Sequence, residues 1–232
     1  MENAAALDSK APDRVVPLRT TGRLAEQAYQ AIRSAIQEGR LQPGQRVPEI
    51  DLSDWLGMSR TPVREALRRL QSDHMVVHAP GGGLAIAQHD LRAIAELYDM
   101  RESLEGTAAS LAARNAGPSE MMMLEAMLAG ARSLPADPAV HARENTRLHE
   151  QIYRAAHNRF LLKQVGDLHD AVALLGRTTF AAEGRIAQAW AEHEEIVAAI
   201  AAREADRAER LMRLHVRRGL ELRLQAMAHD AR

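Results

Sequence analysis

Apolar positions along the chain follow one pattern up to about residue 88 and another beyond it. Leu24, Ala28, Ile32, Ala35 and Ile36 recur at three- and four-residue spacing, which predicts an amphipathic helix that Gly39 stops and a Pro43-Gly44 turn follows. A short helix is expected over Glu49–Leu56, with Ile50, Leu52, Trp55 and Leu56 as its buried side and Gly57 permitting a tight turn after it. The next helix starts near Ser59 or Thr61, both good N-caps, tolerates Pro62 in its first turn and runs to about Ser72. Val63, Ala66, Leu67 and Leu70 form its inward face. The period then changes. Met75–Val77 and Leu84–Ile86 flank the glycines at 81–83 and read as two short strands joined by a turn. Three helices and a two-stranded wing make a winged helix-turn-helix.

From Asp90 onward no strand pattern recurs. Leu91, Ile94, Leu97, Tyr98, Arg101, Leu104 and Ala108 trace one face of a long helix ending near Asn115–Pro118. Further helices are expected over Ser119–Ser133, Pro138–His157, Phe160–Phe180, Arg185–Arg203 and Ala205–Ala228, with Asp137-Pro138 as an N-cap followed by proline at the first helical position. Short connections between them suit antiparallel neighbours. The expected fold class is mainly α: an N-terminal winged helix-turn-helix followed by an all-α antiparallel bundle. The division reads as a flexible tail over 1–19, the winged domain over 20–88 and the bundle over 90–232.

Composition narrows the function classes. The chain has 232 residues, 46% of them hydrophobic and only 3% aromatic, which favours an alanine- and leucine-packed helical core over sheet. Net charge is −1, so a polyanion partner requires a local basic patch. The absence of cysteine rules out disulfides and thiolate metal sites. No apolar run approaches the ~20 residues of a membrane span. The start has acidic residues and no apolar core, unlike a secretory signal. A soluble cytoplasmic protein with no membrane partner is the expectation.

Arg60, Arg64 and Arg68 stand at i, i+4 and i+8, rising ~6 Å per step along the helix face opposite the apolar one. Arginine clamps phosphate oxygens or the O6/N7 edge of guanine through paired N–H donors. Ser59, Arg60 and Thr61 are where a major-groove helix reaches deepest. The plain alternative is a solvated face with Glu65 paired to Arg68 or Arg69; the helix–glycine turn before and the wing after favour DNA. The stretch SRTPVREALRRL, within about Leu24–Ile86, closely resembles the DNA-binding domain of the GntR family of bacterial transcription regulators. The resemblance implies DNA contacts by Ser59, Arg60, Thr61 and Arg64, and a wing tip at Gly81 entering the minor groove; the arginine row adds Arg68 to the expected DNA-binding residues. Relatives often carry an arginine near position 50, where this chain has Ile50.

Ten histidines are present. His74, His78, His89 and His229 fall on turns, the wing or the tail and read as solvated. Asn145 and His149 share one helix face, and His193 and His215 sit in the middle of apolar-periodic helices. A buried imidazole is costly unless its nitrogens find partners. Each of the three could be satisfied singly, or together they could converge on one divalent ion. No HExxH motif is present, because Tyr153 and Val197 stand where the second histidine belongs. The region 90–232, opening LYDMRESLEGTAASLAA, is similar to the FCD ligand-binding domain of the FadR-type branch of the same family. That resemblance implies a metal, zinc or nickel, held by Asn145, His149, His193 and His215, with Asn145 replacing a commoner aspartate and so donating more weakly. It also implies that Arg101 receives the carboxylate of a small organic acid, against the plainer reading of an intrahelical pair with Glu105 worth ~0.3 kcal/mol. The expected function is a ligand-responsive regulator, a repressor by family habit, acting as a homodimer on a double-stranded, inverted-repeat operator. Two alternatives stay open: a constitutive DNA-binding protein with structural histidines, and a metal-dependent enzyme that would draw a base from Glu150, Glu194 or Glu195.

Overall fold

The computed structural model describes residues 18–176 and 178–230. The expected tail falls almost wholly outside these residues, since helix α1 already spans Leu18–Gln37. Helix α2 (Glu49–Leu56), helix α3 (Arg60–Ser72) and strands β1 (Val76–His78) and β2 (Leu84–Ile86) complete the head. Gly57 adopts φ +63°, a left-handed turn that closes on Asp54 and lets α3 leave α2 at once. Ile32 and Ile36 of α1 meet Val63, Ala66, Leu67 and Leu70 of α3, and Met75, Val76 and Ile86 cap the cluster. β1 and β2 pair antiparallel with Val77 opposite Ala85. The segment before α2 adds a bridge at Arg46 to Ala85, which the hydrophobic pattern did not reveal.

Two details of the head differ from expectation. Ile50 and Trp55 are about half exposed, and Leu52 alone of the four predicted α2 residues is fully buried. An eight-residue helix lying against α3 has room for one buried row; Trp55 instead stacks with the Arg40 guanidinium 5.4 Å from its ring.

Helix α4 (Leu91–Asn115) begins after Asp90, whose side chain accepts from Ala93 N at 2.7 Å. It packs along α9 (Ala205–Asp230), with α5 (Pro118–Ala131), α6 (Pro138–Ala155), α7 (Arg159–Ala173) and α8 (Arg185–Ala201) around them. Ile94, Leu148, Ile152, Ile196, Ile200 and Met212 form the bundle core. Leu91, expected inward, lies exposed in the first turn of α4, ahead of where the bundle begins to cover it. The helix expected over Phe160–Phe180 ends at Ala173: Gly176 takes φ +73°, and Thr178 caps a separate 3₁₀ turn at Thr179–Ala181. Phe180 is thereby released to stack on His141. Among the described residues no helix is long and apolar enough to cross a membrane.

Candidate functional site

The outer face of α3 carries the polar groups expected there. Ser59 is the N-cap by backbone geometry, but its hydroxyl makes no capping bond, and Ser59, Arg60, Thr61, Arg64 and Arg68 are all exposed. The Glu65 pairing does not occur. Arg69 bonds Glu26 at 2.5 Å and lies over the Tyr29 ring, while Arg64 forms a two-pronged pair with Glu49, both contacts 2.8 Å. Arg60 and Arg68 make no side-chain hydrogen bond among the described residues. Gly81, Gly82 and Gly83 all have positive φ and form an exposed wing tip. Arg46 braces it by donating to Pro80 O at 2.6 Å and Gly82 O at 3.0 Å, a role no local motif announces.

The three mid-helix histidines meet inside the bundle. His149 comes from α6, His193 from α8 and His215 from α9; their ligating nitrogens all lie within 4.8 Å of one another. His149 Nε2 is 3.2 Å from His193 Nε2, which is 3.3 Å from His215 Nε2. All three are buried, at 6% exposure or less. Carboxylates hold the two outer rings from behind. Glu105 on α4 lies 2.7 Å from His149 Nδ1, and Glu192 on α8 lies 2.6 Å from His215 Nδ1. An Nδ1–H donated to a carboxylate fixes the tautomer and turns the Nε2 lone pair to the centre.

Burial keeps His193 and His215 neutral. Burial pushes the His193 imidazole well below its ordinary pKa, helped by its two imidazole neighbours. Burial likewise lowers His215 to about 4 in spite of the Glu192 bond. Burial raises Glu105, but the Arg101 guanidinium and the His149 bond outweigh it and hold the carboxyl far below the usual range. Glu192 ends at about 2, where burial is outweighed by His215 and Arg185. Arg185 and Arg218 each donate to Glu192 at 3.0 Å.

Imidazole nitrogens that converge in this way repel unless a proton or cation sits between them, and three of them make the donor set of a nitrogen-rich divalent site. Asn145 adds to the fit. Its Oδ1 is buried without a hydrogen-bond partner and lines the same cavity as His149. His193 Nδ1 is also buried and unpartnered. Arg101 lines the cavity, donates through Nε to Glu105 Oε1 at 2.7 Å and lies 4.7 Å over the Tyr98 ring. The pair with Glu105 therefore forms, yet it is 14% and 4% exposed and continues to His149, so it is a buried relay and not a loose surface pair. The cavity holds about 30 Å³, room for a water or two.

Sequence reading missed the two carboxylates behind the rings. Glu194 pairs with Arg132 on the surface, Glu150 is a partly exposed neighbour of Arg154, and Glu195 is exposed. Glu192 was one residue from His193 and Glu105 one turn from Arg101, but neither spacing says which histidine a carboxylate reaches. Of the histidines expected to be solvated, His89 departs: its Nε2 is buried without a partner.

Comparison with known proteins agrees with both halves. The model of bacterial regulatory proteins of the gntR family matches residues 24–86, and the FCD domain model matches residues 96–218. An HTH-type transcriptional regulator in the TAR-I ttuE-ttuC' intergenic region of Agrobacterium vitis is 42% identical over 109 residues, covering 47% of this chain and 61% of its own length. A probable D-xylose utilization operon transcriptional repressor of Paenarthrobacter nicotinovorans is 31% identical over 202 residues, covering 85% of this chain and 87% of its own. The solved structure of E. coli McbR/YncC has the same fold, with a TM-score of 0.79 at 22% identity over 88% of this chain and 98% of that one. These relatives are transcription regulators, so the metalloenzyme alternative falls away. The chain belongs to the GntR family of bacterial transcription regulators, a winged helix-turn-helix joined to an FCD domain.

Proposed function

We propose that this chain is a ligand-responsive repressor whose residues 20–88 bind an operator and whose residues 90–232 bind a metal and a small organic acid. Ser59, Arg60, Thr61, Arg64 and Arg68 meet the major groove and its flanking phosphates, and Gly81 brings wing backbone to the minor groove. Two such heads on one inverted repeat require a homodimer. Such a protein works where the chromosome is, in the cytoplasm. Repression is supported by the Paenarthrobacter relative, whose description is that of a probable repressor.

His149, His193 and His215, with Asn145 Oδ1, would hold the divalent ion, zinc or nickel, and the ion would give a carboxylate a Lewis-acidic partner. The chain's own residues do the rest. Glu105 and Glu192 orient the outer imidazoles, and the buried bundle excludes competing water. Arg101, whose Nη groups make no hydrogen bond among the described residues, offers them to the acid. The observation that carries this reading is the convergence of three Nε2 atoms, those of His149 and His215 set by carboxylates on their Nδ1 atoms, beside an orphaned amide oxygen and a buried arginine.

A constitutive DNA-binding protein remains the second reading. His193 Nε2–H can be shared between His149 and His215 at the observed distances, which relieves the repulsion of the three Nε2 atoms with no ion. Metal analysis of the purified protein separates the two, followed by a mobility-shift titration of small acids against the promoter fragment upstream of its own gene. Bound zinc or nickel and an acid-dependent shift support the first reading; a metal-free protein whose operator binding ignores every acid leaves the second.

A further inference from the structure

Helix α7 lines the cavity on one side and touches the DNA-binding head on the other. Val165, Leu168, His169 and Val172 form its cavity side. Asp170, one residue from His169, accepts from Arg33 Nε at 2.8 and 3.0 Å and from Gln37 Nε2 at 2.9 Å, both on α1. Leu174, which ends the helix, is buried in the head's own core cluster. A Cβ placed on Gly176 would sit 3.7 Å from Pro43.

The cavity walls are held unequally. The α4 and α6 walls are locked together by the bonds from Arg101 through Glu105 to His149. Helix α7 meets the bundle through apolar contacts of Leu161 and Val165. Among the described residues, the side-chain hydrogen bonds that leave it all go to α1. The nearest polar approach to α6, His169 Nδ1 to Glu150 Oε1 at 3.8 Å, is too long for a hydrogen bond. A cavity with room for a water or two cannot take an acid of five or more heavy atoms unless a wall moves, and apolar contacts slide where buried charge networks do not.

His169 is the α7 group able to meet a polar ligand. It faces the cavity shared with Arg101 and Asn145, it is largely buried, and it makes no hydrogen bond in the described structure. Burial holds its imidazole below the ordinary pKa, leaving a neutral ring with one donor and one acceptor. We propose that α7 is a ligand-reading lever: His169 takes the second polar group of a hydroxy- or dicarboxylic acid whose first carboxylate lies at Arg101, and Asp170 passes the displacement to α1. From α1 the path continues to the recognition helix through Glu26 with Arg69 and through Tyr29, which donates to Asp73 at 2.8 Å. This rests on the acid-binding role proposed above and adds which group reads the acid and which helix reports it.

Hydrogen exchange on the full-length protein tests it, with zinc alone and then zinc with a panel of glycolate, lactate, malonate and succinate. Zinc alone should slow exchange in α6, α8 and α9 and leave α1 unchanged; a bound acid should change α7 and α1 together. In Asp170→Asn the acid should still alter α7 while α1 no longer responds. In His169→Phe the zinc content should stay at the wild-type level while affinity for the hydroxy- or dicarboxylic acid falls at least tenfold by calorimetry. An α1 response to zinc alone, an α1 response preserved in Asp170→Asn, or unchanged acid affinity in His169→Phe each overturns the lever while leaving acid binding intact. A wild-type α7 that ignores an acid which calorimetry shows to bind overturns the lever alone, whereas a wild-type protein that binds no acid of the panel by calorimetry overturns the acid-binding role and the lever together.

Discussion

The chain has two centres of basic side chains, and they are built on opposite principles. On α3 the arginines are exposed, and Arg64 pairs with Glu49, an acid that it would exchange for a phosphate or base edge in the proposed DNA complex. In the bundle the imidazoles are buried, and every carboxylate near them is itself tied down: Glu105 by Arg101, Glu192 by Arg185 and Arg218. An exposed ion pair contributes little to stability because water screens it and both side chains lose freedom. A buried one is expensive to form, and removing one partner strands a charge in low dielectric. The head is thus structurally indifferent to Arg60, Arg64 and Arg68 on its outer face, whereas the bundle depends on the basic groups inside it. That contrast suits the proposed division of work, in which DNA is recognised with replaceable contacts and a ligand is sensed with a fixed frame.

The contrast breaks most severely at Glu192. Glu192→Ala leaves Arg185, 3% exposed, without its carboxylate and removes the acceptor behind His215. The expected loss is about 3–5 kcal/mol of stability, read as a large fall in the thermal unfolding midpoint. An unshifted midpoint would mean that the carboxylate frame is not what holds these helices.

Metal affinity gives the next largest effect. His193→Ala removes the ring common to both short nitrogen contacts and should abolish stoichiometric zinc binding in a chelator competition. Glu105→Gln keeps the shape but replaces an acceptor carboxylate with an amide, so His149 is oriented less firmly; zinc affinity should fall roughly 10- to 100-fold. If Glu105→Gln bound zinc as tightly as the parent, the carboxylate would be only Arg101's counter-ion.

How much of this was legible in the sequence also divides along the same line. In the head the contacts are local. Ser59 through Leu70 carry both the buried row and the exposed arginines within one helix, so the period of 3.6 reveals them together. Arg46 escaped because it braces a wing thirty-four and thirty-six residues away through backbone carbonyls. In the bundle the histidines stand out as polar residues in apolar stripes, but their convergence is a property of three helices. The carboxylates were harder still: Glu105 and His149 are forty-four residues apart, and no spacing rule joins them. Helix length failed where tertiary packing won: a single helix was expected over Phe160–Phe180, yet it ends at Ala173 and Gly176 turns the chain so that Phe180 reaches His141.

Smaller effects test the head. Arg64→Ala should leave the unfolding midpoint where it is, because its pair with Glu49 is solvent-exposed, while affinity for the specific operator drops roughly ten- to a hundredfold. Arg68 stands about one turn beyond Arg64 along α3, exposed and without an ion-pair partner among the described residues. In the proposed complex a guanidinium in that position would meet the phosphate backbone, which carries charge but no sequence information. Arg68→Ala should therefore weaken specific and nonspecific DNA to the same extent and reduce the slope of log K against log salt by about one, one counterion fewer being released per protomer. Loss of specificity in Arg68→Ala, with the slope unchanged, would place this arginine on a base edge and move the reading surface of α3 a full turn towards its C-terminal end.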